Sequence, residues 1–251
     1  MYKLISWESL PKEMKNDNVN NYYILLQKRS ISIAVKRGFD LIVGIITSLF
    51  LIIPMVIIAI IIKIDSDGPI LFKQNRVSAG NKIFKIYKFR TMIVNAEYVG
   101  AQVTSKSDSR ITRVGKMLRK ARLDELPQIF NVIKGDMSFV GIRPEVPHYV
   151  DSYTDEMYAT LLLPAGITSE TSIKYKNEER LINNSDNSDE TYINEVLPQK
   201  MKYNLEYLKK FSFWYDIKIM FMTVLAVIRK DDKINNQKEC TKKGKEYAVN
   251  K

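Results

Sequence analysis

The feature that most constrains the fold is an apolar stretch of 24 residues, 39–62, whose only ionisable side chain is Asp40 near its start. At 1.5 Å per residue, a helix of this length extends roughly 36 Å, which is enough to cross the hydrocarbon core of a bilayer. Its Leu, Ile, Val and Phe side chains favour insertion by on the order of 5–10 kcal/mol. The stretch begins too far along the chain for a secretory signal peptide, so it predicts a retained membrane anchor.

Pro54 lies near the middle of this stretch, where it cannot donate a hydrogen bond to the carbonyl of Phe50 and costs a regular helix roughly 3 kcal/mol. Insertion outweighs that cost, but the proline favours a kink or a break. The basic residues flanking the stretch give no inside–outside bias, as expected of a re-entrant helix with both ends in the cytoplasm. They are Lys28, Arg29, Lys36 and Arg37 before it, and Lys63, Lys73, Arg76 and Lys82 after it. The residues alone leave a single-pass helix and a re-entrant helix equally open.

Composition narrows the classes of function. The chain has 39 Lys and Arg residues against 28 Asp and Glu residues, a formal charge of +11 that suits nucleic acid, an anionic lipid surface or phosphorylated substrates. The single cysteine, Cys240, excludes an intramolecular disulfide and a cysteine-based metal site. The single histidine, His148, excludes a multi-histidine zinc site, and we interpret it as structural or incidental.

The chain divides into four predicted regions. Residues 1–35 are polar and include an Asn- and Asp-rich run at 16–21, which predicts a loosely structured N-terminal arm. Residues 36–63 contain the membrane helix, residues 64–230 the main domain, and residues 231–251 a polar, basic tail.

Turn signals at Asp67-Gly68-Pro69 and at 78–81 separate a short predicted strand, 70–73, from a second one, 82–90, in which apolar and basic residues alternate. Together they predict a small hairpin beside the membrane. The acidic pair of Asp65-Ser66-Asp67 is similar to a short metal-binding motif. We interpret it as part of the turn because it abuts Gly68-Pro69.

Three helices are predicted after the hairpin. A basic amphipathic helix starts at Ile111 and ends near Leu123, and a second opens at Asp124, with Pro127 in its first turn and Gly135 as its stop. Residues 211–228 predict an amphipathic helix that packs on the domain or lies in the membrane interface, because Asp216 and Lys218 interrupt an otherwise apolar run.

The acidic pair Asp124-Glu125 lies among basic residues in the sequence. If Asp124 is a helix N-cap, the free N–H groups of the helix stabilise its carboxylate and create an anion site beside it. Such a carboxylate can attack a phosphorus centre to give an acyl phosphate, provided that cations neutralise the developing charge. From the residues alone, an ordinary N-cap with a favourable acid in the first turn is the more frequent explanation.

Several motifs in a fixed order resemble the bacterial sugar transferase family of monotopic phosphoglycosyl transferases over roughly residues 31–230. They are Lys36-Arg37 with Phe39-Asp40, the proline-broken apolar helix, Gly68-Pro69 followed by Gln74 and Arg76, KFRTM at 88–92, LDELPQ at 123–128, Asn131-Val132, GDMS at 135–138, and Val140-Gly141. The resemblance implies a helix-rich α+β fold. In it, a re-entrant helix-break-helix anchor, interrupted at Pro54, and interfacial amphipathic helices surround one catalytic domain with a small β-hairpin.

The same resemblance implies a ping-pong reaction at the cytoplasmic face of the bacterial inner membrane, among membrane lipids. Asp124 would be the nucleophile that takes a phosphosugar from a UDP-sugar and releases UMP, while Glu125 assists in acid–base or metal roles. Undecaprenyl phosphate, a polyprenyl phosphate, would then attack the intermediate. Mg²⁺ is expected near Asp124, and a homodimer is left open. The candidates for phosphate contacts are Lys88, Arg90, Arg119 and Arg143.

The sequence departs from the family pattern at three places. Ile142-Arg143-Pro144 stands where the family usually has Pro-Arg-Pro, Ser78 stands where glycine is usual, and residues 164–168 carry one residue more than the common Pro-Gly-Ile-Thr form. These departures bear on substrate identity more than on the reaction. The extra domain and multiple spans of larger family members are missing, so the compact form is expected.

Two other classes of protein are compatible with the composition. A membrane-anchored nucleic-acid-binding protein would explain the charge and the basic helix at 110–122, and a scaffold that recruits other enzymes would explain the anchor. Only the enzyme gives Asp124-Glu125 in its basic surroundings a stated use, so we expect no nucleic-acid partner.

Overall fold

The computed structural model of the chain describes residues 4–96, 108–175 and 187–226. The predicted tail at 231–251, with Cys240, and the last two residues of the predicted helix at 211–228 lie outside these residues. The described helices are α1 (Asp17–Gln27), α2 (Ser30–Asp65), α3 (Arg113–Ala121), α4 (Gln128–Lys134), α5 (Pro147–Val150), α6 (Glu170–Lys174), α7 (Ser188–Thr191), α8 (Leu197–Lys210) and α9 (213–226). A π-helical turn, Tyr192–Val196, joins α7 to α8.

Two small sheets accompany these helices. Strands β1 (Leu71–Ser78) and β2 (Lys82–Phe89) form an antiparallel hairpin, with Leu71 opposite Phe89. This confirms the predicted hairpin, although its first strand is longer than the predicted 70–73. Strands β3 (Met137–Val140) and β4 (Ala165–Thr168) pair in parallel and were not predicted.

Helix α2 contains the apolar stretch and continues through Pro54 as one helix of 36 residues. The helix is therefore not interrupted at Pro54, in contrast to the predicted helix-break-helix. The re-entrant topology stays a prediction. Among the described residues, α2 is the one helix long and apolar enough to cross a membrane, and only 17% of its most apolar window is buried. Phe50 and Ile53 are 77% and 69% exposed. A core helix of a soluble protein would bury most of this surface.

The prediction of a loosely structured N-terminal arm is wrong for residues 4–35. The Asn16 side chain accepts a hydrogen bond from the backbone N–H of Val19 and caps α1, so the polar run begins a helix. One face of α1 carries Val19, Tyr22 and Leu26, which are buried in the largest core cluster together with Leu208 and other residues of the C-terminal half. The segment is polar on average, but its apolar residues recur at helical spacing and pack in the core, and this packing stabilises the helix.

The first turns of α2 belong to the globular domain. The Lys36 Nζ forms a buried ion pair with Asp216 of α9 and donates to the carbonyl of Val140 at 2.6 Å. The guanidinium of Arg37 donates to the carbonyls of Val132 (2.6 Å) and Ile133 (2.8 Å) at the C-terminal end of α4. These contacts hold the N-terminal part of α2 against α4, β3 and α9.

Gly115 allows α3 to approach the backbone of Thr91, two residues after the end of β2. A Cβ atom at residue 115 would lie 2.1 Å from the Thr91 carbonyl oxygen, a backbone atom that cannot move aside. We expect Gly115→Ala to destabilise the protein by about 1–3 kcal/mol. Gly38→Ala is the matched control, because nothing lies within 4 Å of its Cβ position in α2 and alanine favours helix. Thermal unfolding in detergent measures both variants, and equal unfolding temperatures would contradict the expectation.

Candidate active site

A short turn between two helices presents the acidic pair. Helix α3 starts after its N-cap Thr112, whose hydroxyl accepts from the N–H of Gly115 at 2.9 Å, and it ends at Ala121, close to the predicted end near Leu123. Arg122 adopts a left-handed conformation with φ of 59°, which reverses the chain into a 3₁₀ turn, Leu123–Glu125. Helix α4 begins only at Gln128, so the predicted role of Asp124 as its N-cap is wrong.

Asp124 is buried, with 8% of its surface exposed. Its Oδ1 atom has no hydrogen-bond partner among the described residues. Burial raises the pKa of Asp124 above its usual value; the negative charge of Glu125 adds to this effect, whereas the positive charges of Lys88 and Arg119 oppose it. A desolvated carboxylate with an uncommitted oxygen is a stronger nucleophile than a solvated one.

Glu125 is held between two cations. Its Oε1 atom accepts from the Lys88 Nζ at 3.0 Å and from the Arg143 Nη2 at 2.8 Å. Burial would raise the pKa of Glu125, but the charges and hydrogen bonds of Arg143 and Lys88 outweigh it and hold the pKa far below the usual range. Glu125 is therefore ionised throughout the physiological pH range, and its charge is already neutralised within the protein.

The cations reach the pair from different elements. Lys88 comes from β2, and Arg143 follows β3. Burial lowers the pKa of Lys88, while the carboxylate of Glu125 raises it. Arg119 of α3 donates from its Nε to the Thr91 hydroxyl at 2.8 Å. Burial lowers the pKa of Arg119 overall, although the negative charge of Asp124 opposes this effect. Three of the four predicted phosphate contacts thus surround Asp124 and Glu125.

Arg90, the fourth candidate, has its terminal nitrogens committed elsewhere. It is 5% exposed and donates from Nη1 to the Asp67 carbonyl at 2.9 Å and from Nη2 to the carbonyl and hydroxyl of Ser66, at 2.5 and 2.9 Å. These bonds close the turn after α2, where Gly68 has a φ of 121° and a Cβ would lie 2.1 Å from the Arg90 guanidinium. Arg90 thus has a structural role at this turn, and its contact with a phosphate stays a prediction.

Two buried amide side chains of α4 were not singled out from the sequence as site residues. Gln128 is 1% exposed, and within residues 4–96, 108–175 and 187–226 its Nε2 atom has no hydrogen-bond partner. Asn131 accepts from the Tyr87 N–H at 3.0 Å and donates to the Lys85 carbonyl at 2.8 Å, which joins α4 to β2. Gln128 belongs to the LDELPQ motif at 123–128, which was the available signal.

The acidic residues allow a test of the expected Mg²⁺. In the part of the chain that the structure describes, no three or more His, Cys, Asp or Glu side chains form a metal-binding cluster. Asp65, the last residue of α2, accepts a hydrogen bond from the Val114 N–H of α3 at 3.3 Å, so one of its carboxylate oxygens is already bonded within the protein. Asp124 is the carboxylate of the site with an uncommitted oxygen. Mg²⁺ commonly binds one or two carboxylates together with substrate phosphates and water, so Asp124 fits such a site.

The family profile described as bacterial sugar transferase matches residues 31–230, which include every residue of this site. The chain belongs to the bacterial sugar transferase family. Within these 200 residues lie the acidic pair, the three cations around that pair and the apolar helix, so the family resemblance found from the sequence motifs is confirmed.

Individual relatives match over most of this chain. A UDP-N-acetylgalactosamine-undecaprenyl-phosphate N-acetylgalactosaminephosphotransferase of Aeromonas hydrophila is 38% identical over 88% of the chain and 50% of its own length. An undecaprenyl-phosphate glucose phosphotransferase of Komagataeibacter xylinus is 35% identical, over 80% and 37%. An undecaprenyl-phosphate galactose phosphotransferase of Salmonella typhimurium is 34% identical, over 82% and 43%. The chain thus spans half or less of the length of these relatives.

Proposed function

We propose that this protein transfers a sugar-1-phosphate from a UDP-sugar to a polyprenyl phosphate such as undecaprenyl phosphate and releases UMP. The single observation that carries the proposal is the buried Asp124 carboxylate, whose Oδ1 has no partner among the described residues, which lies near the cations Lys88 and Arg119, and whose neighbour Glu125 is paired with Arg143. The relatives' names, which specify sugar phosphotransferases acting on undecaprenyl phosphate, support the same reaction.

The proposed reaction proceeds through a covalent intermediate on Asp124. A carboxylate oxygen of Asp124 attacks the phosphorus that bears the sugar, and the bond from that phosphorus to the bridging diphosphate oxygen breaks, so UMP leaves. An oxygen of the polyprenyl phosphate then attacks the same phosphorus, and the bond to Asp124 breaks, which restores the carboxylate. Lys88, Arg119 and Arg143 offset the negative charge on the phosphoryl oxygens in both steps.

We assign Glu125 the role of orienting two of these cations. Its low pKa makes it a poor proton donor near neutral pH, and its Oε1 atom holds both Lys88 and Arg143. Mg²⁺, when bound by Asp124 and the donor diphosphate, would supply further charge neutralisation. Gln128 is an additional buried donor four residues after Asp124.

The membrane placement is part of the proposal. The exposed apolar surface of α2 supports embedding in the bacterial inner membrane, with the domain on the cytoplasmic face, where UDP-sugars are available. Helix α9 adds exposed apolar side chains that suit the interface, namely Trp214, Phe221, Val224 and Leu225. The re-entrant path of α2 belongs to the same proposal.

A screen of UMP release over a panel of UDP-sugars tests the proposal. The purified protein, in detergent with polyprenyl phosphate, should accept one or two donors and form the lipid-linked sugar. Failure to release UMP from any donor would reject the enzyme. Salt-sensitive binding of DNA or RNA that Asp124→Asn retains would then favour the nucleic-acid-binding alternative.

The pH dependence of kcat/KM should shift in opposite directions in two variants. Lys88→Met removes a charge that lowers the pKa of Asp124, so the acidic limb should move to higher pH. Glu125→Gln removes a charge that raises the same pKa, so the limb should move to lower pH. Lys85→Met, at an exposed position of the same strand, is the control and should leave the limb in place. Shifts in the same direction for both variants would contradict the assignment of Asp124 as the titrating nucleophile.

A further inference from the structure

A polar cleft that is open to solvent lies beside the candidate active site, between α6 and α8. Its lining combines two cations with hydroxyl and amide groups. The side chains that matter here are Arg143, Ser169, Thr171, Ser172, Lys200 and Asn204.

Arg143 connects the cleft to the reaction centre. The same guanidinium that bonds Glu125 at 2.8 Å also lines the cleft, so the cleft shares Arg143 with the acidic pair. On the far wall, the Lys200 Nζ is fixed by the Glu145 carboxylate at 2.9 Å and the Tyr192 hydroxyl at 2.6 Å. The cleft therefore has a rigid polar wall.

Asn204 is the buried polar group best placed to contact a ligand there. It is 4% exposed, and its Oδ1 accepts from the Thr171 hydroxyl at 2.6 Å, which orients the amide. Within the described part of the chain, the one hydrogen-bond partner of the Nδ2 atom is the Met201 sulfur at 3.6 Å, and a thioether is a weak acceptor. A ligand oxygen in the cleft would satisfy this donor better than the sulfur does.

We propose that this cleft binds the sugar of the donor and that Asn204, oriented by Thr171, determines which sugar is accepted. This inference rests on the proposed function. The hydroxyl-rich lining suits a ligand with many hydroxyl groups, or with an N-acyl carbonyl, which can each accept from the amide. A nucleobase is usually held by stacking on aromatic or apolar side chains, and Tyr175 is the only aromatic residue in the described lining.

The test compares donors and the nucleotide product in the same variants. Asn204→Ala should lower kcat/KM for the preferred donor roughly tenfold, the effect of losing about one hydrogen bond. The ratio between the preferred donor and the others, among UDP-N-acetylgalactosamine, UDP-glucose and UDP-galactose, should shrink. The inhibition constant of UMP should stay within about twofold, because UMP lacks the sugar. Thr171→Val, which keeps the side-chain shape, should change the ratio in the same direction.

Gln199→Ala is the matched control, since Gln199 is an exposed amide of the same helix, and it should leave all constants unchanged. A weakening of UMP inhibition in parallel with kcat/KM would overturn the proposal in favour of a nucleoside site. An equal loss for every donor in Asn204→Ala and Thr171→Val would overturn it in favour of a structural role. Failure of the proposed function itself is distinct, since the wild-type protein would then release no UMP from any donor.

Discussion

Asp124→Asn should reduce UMP release and formation of the lipid-linked sugar by at least about a thousandfold, because the amide cannot form the acyl phosphate. The replacement has nearly the same shape, so the turn at Leu123–Glu125 and the pair of cations on Glu125 should persist. Asp151→Asn, at an exposed position, provides the control and should retain wild-type turnover. Product formation at an undiminished rate by Asp124→Asn would rule out the proposed nucleophile.

The same variant should be at least as stable as the wild-type protein at neutral pH. Burial raises the pKa of Asp124 in the folded state, so ionising this group costs stability as pH rises from its ordinary pKa through the raised one. The neutral amide avoids that cost, so the unfolding temperature should not fall and should rise most clearly above this pH window. Loss of activity together with a lower unfolding temperature would indicate misfolding in place of a missing nucleophile.

Lys36→Met should be among the most destabilising single substitutions, by about 3–5 kcal/mol, because it leaves the Asp216 carboxylate buried without its cation. The side chains of the pair are 6% and 4% exposed. The double variant Lys36→Met with Asp216→Asn should recover part of the loss, since the charge at residue 216 is removed and the Tyr207 hydroxyl can still donate to that residue, while the buried Asp40 still lacks the positive charge of Lys36. Denaturant unfolding in detergent measures the three proteins.

Lys210→Met is the control for this series. Lys210 pairs with Glu206 in α8, but the two side chains are 46% and 58% exposed, so solvent screens the interaction. No measurable change in stability is expected. A double variant no more stable than Lys36→Met would show that the loss comes from packing or from the bond to the Val140 carbonyl, and not from the isolated charge.

Long or strongly periodic patterns were sufficient to predict several parts of the fold. The 24 apolar residues of α2 and the alternation in β2 each have a single favoured local structure. The four-residue strands β3 and β4 escaped prediction because their pairing depends on two segments that meet only after folding, with Gly141 and Gly166 allowing the close approach. Helix α1 escaped because its three buried side chains are diluted by asparagines in sequence.

The candidate site was likewise predictable only in part from the sequence. Composition and spacing were enough to bring attention to Asp124, Glu125 and the basic residues around them. They could not show that the left-handed Arg122 separates α3 from the acidic turn, which removes Asp124 from a helix N-terminus. Nor could they distinguish Lys88, whose ammonium reaches Glu125, from Arg90, two residues further on, whose guanidinium binds carbonyls at the end of α2. The direction in which a side chain points decides which partner it reaches. Alternation along a strand predicts that direction only as far as the end of the strand.

The attachment of α2 to the domain bears on how a soluble fragment could be designed. Lys36 and Arg37 bond to β3, α4 and α9, and Asp40, at the start of the apolar stretch, accepts from the Phe139 N–H at 3.2 Å. Deleting the whole of α2 would also remove these contacts with the domain that carries Asp124 and Glu125. A water-soluble version should therefore keep residues 30–44 and replace the lipid-facing side chains beyond them with polar ones.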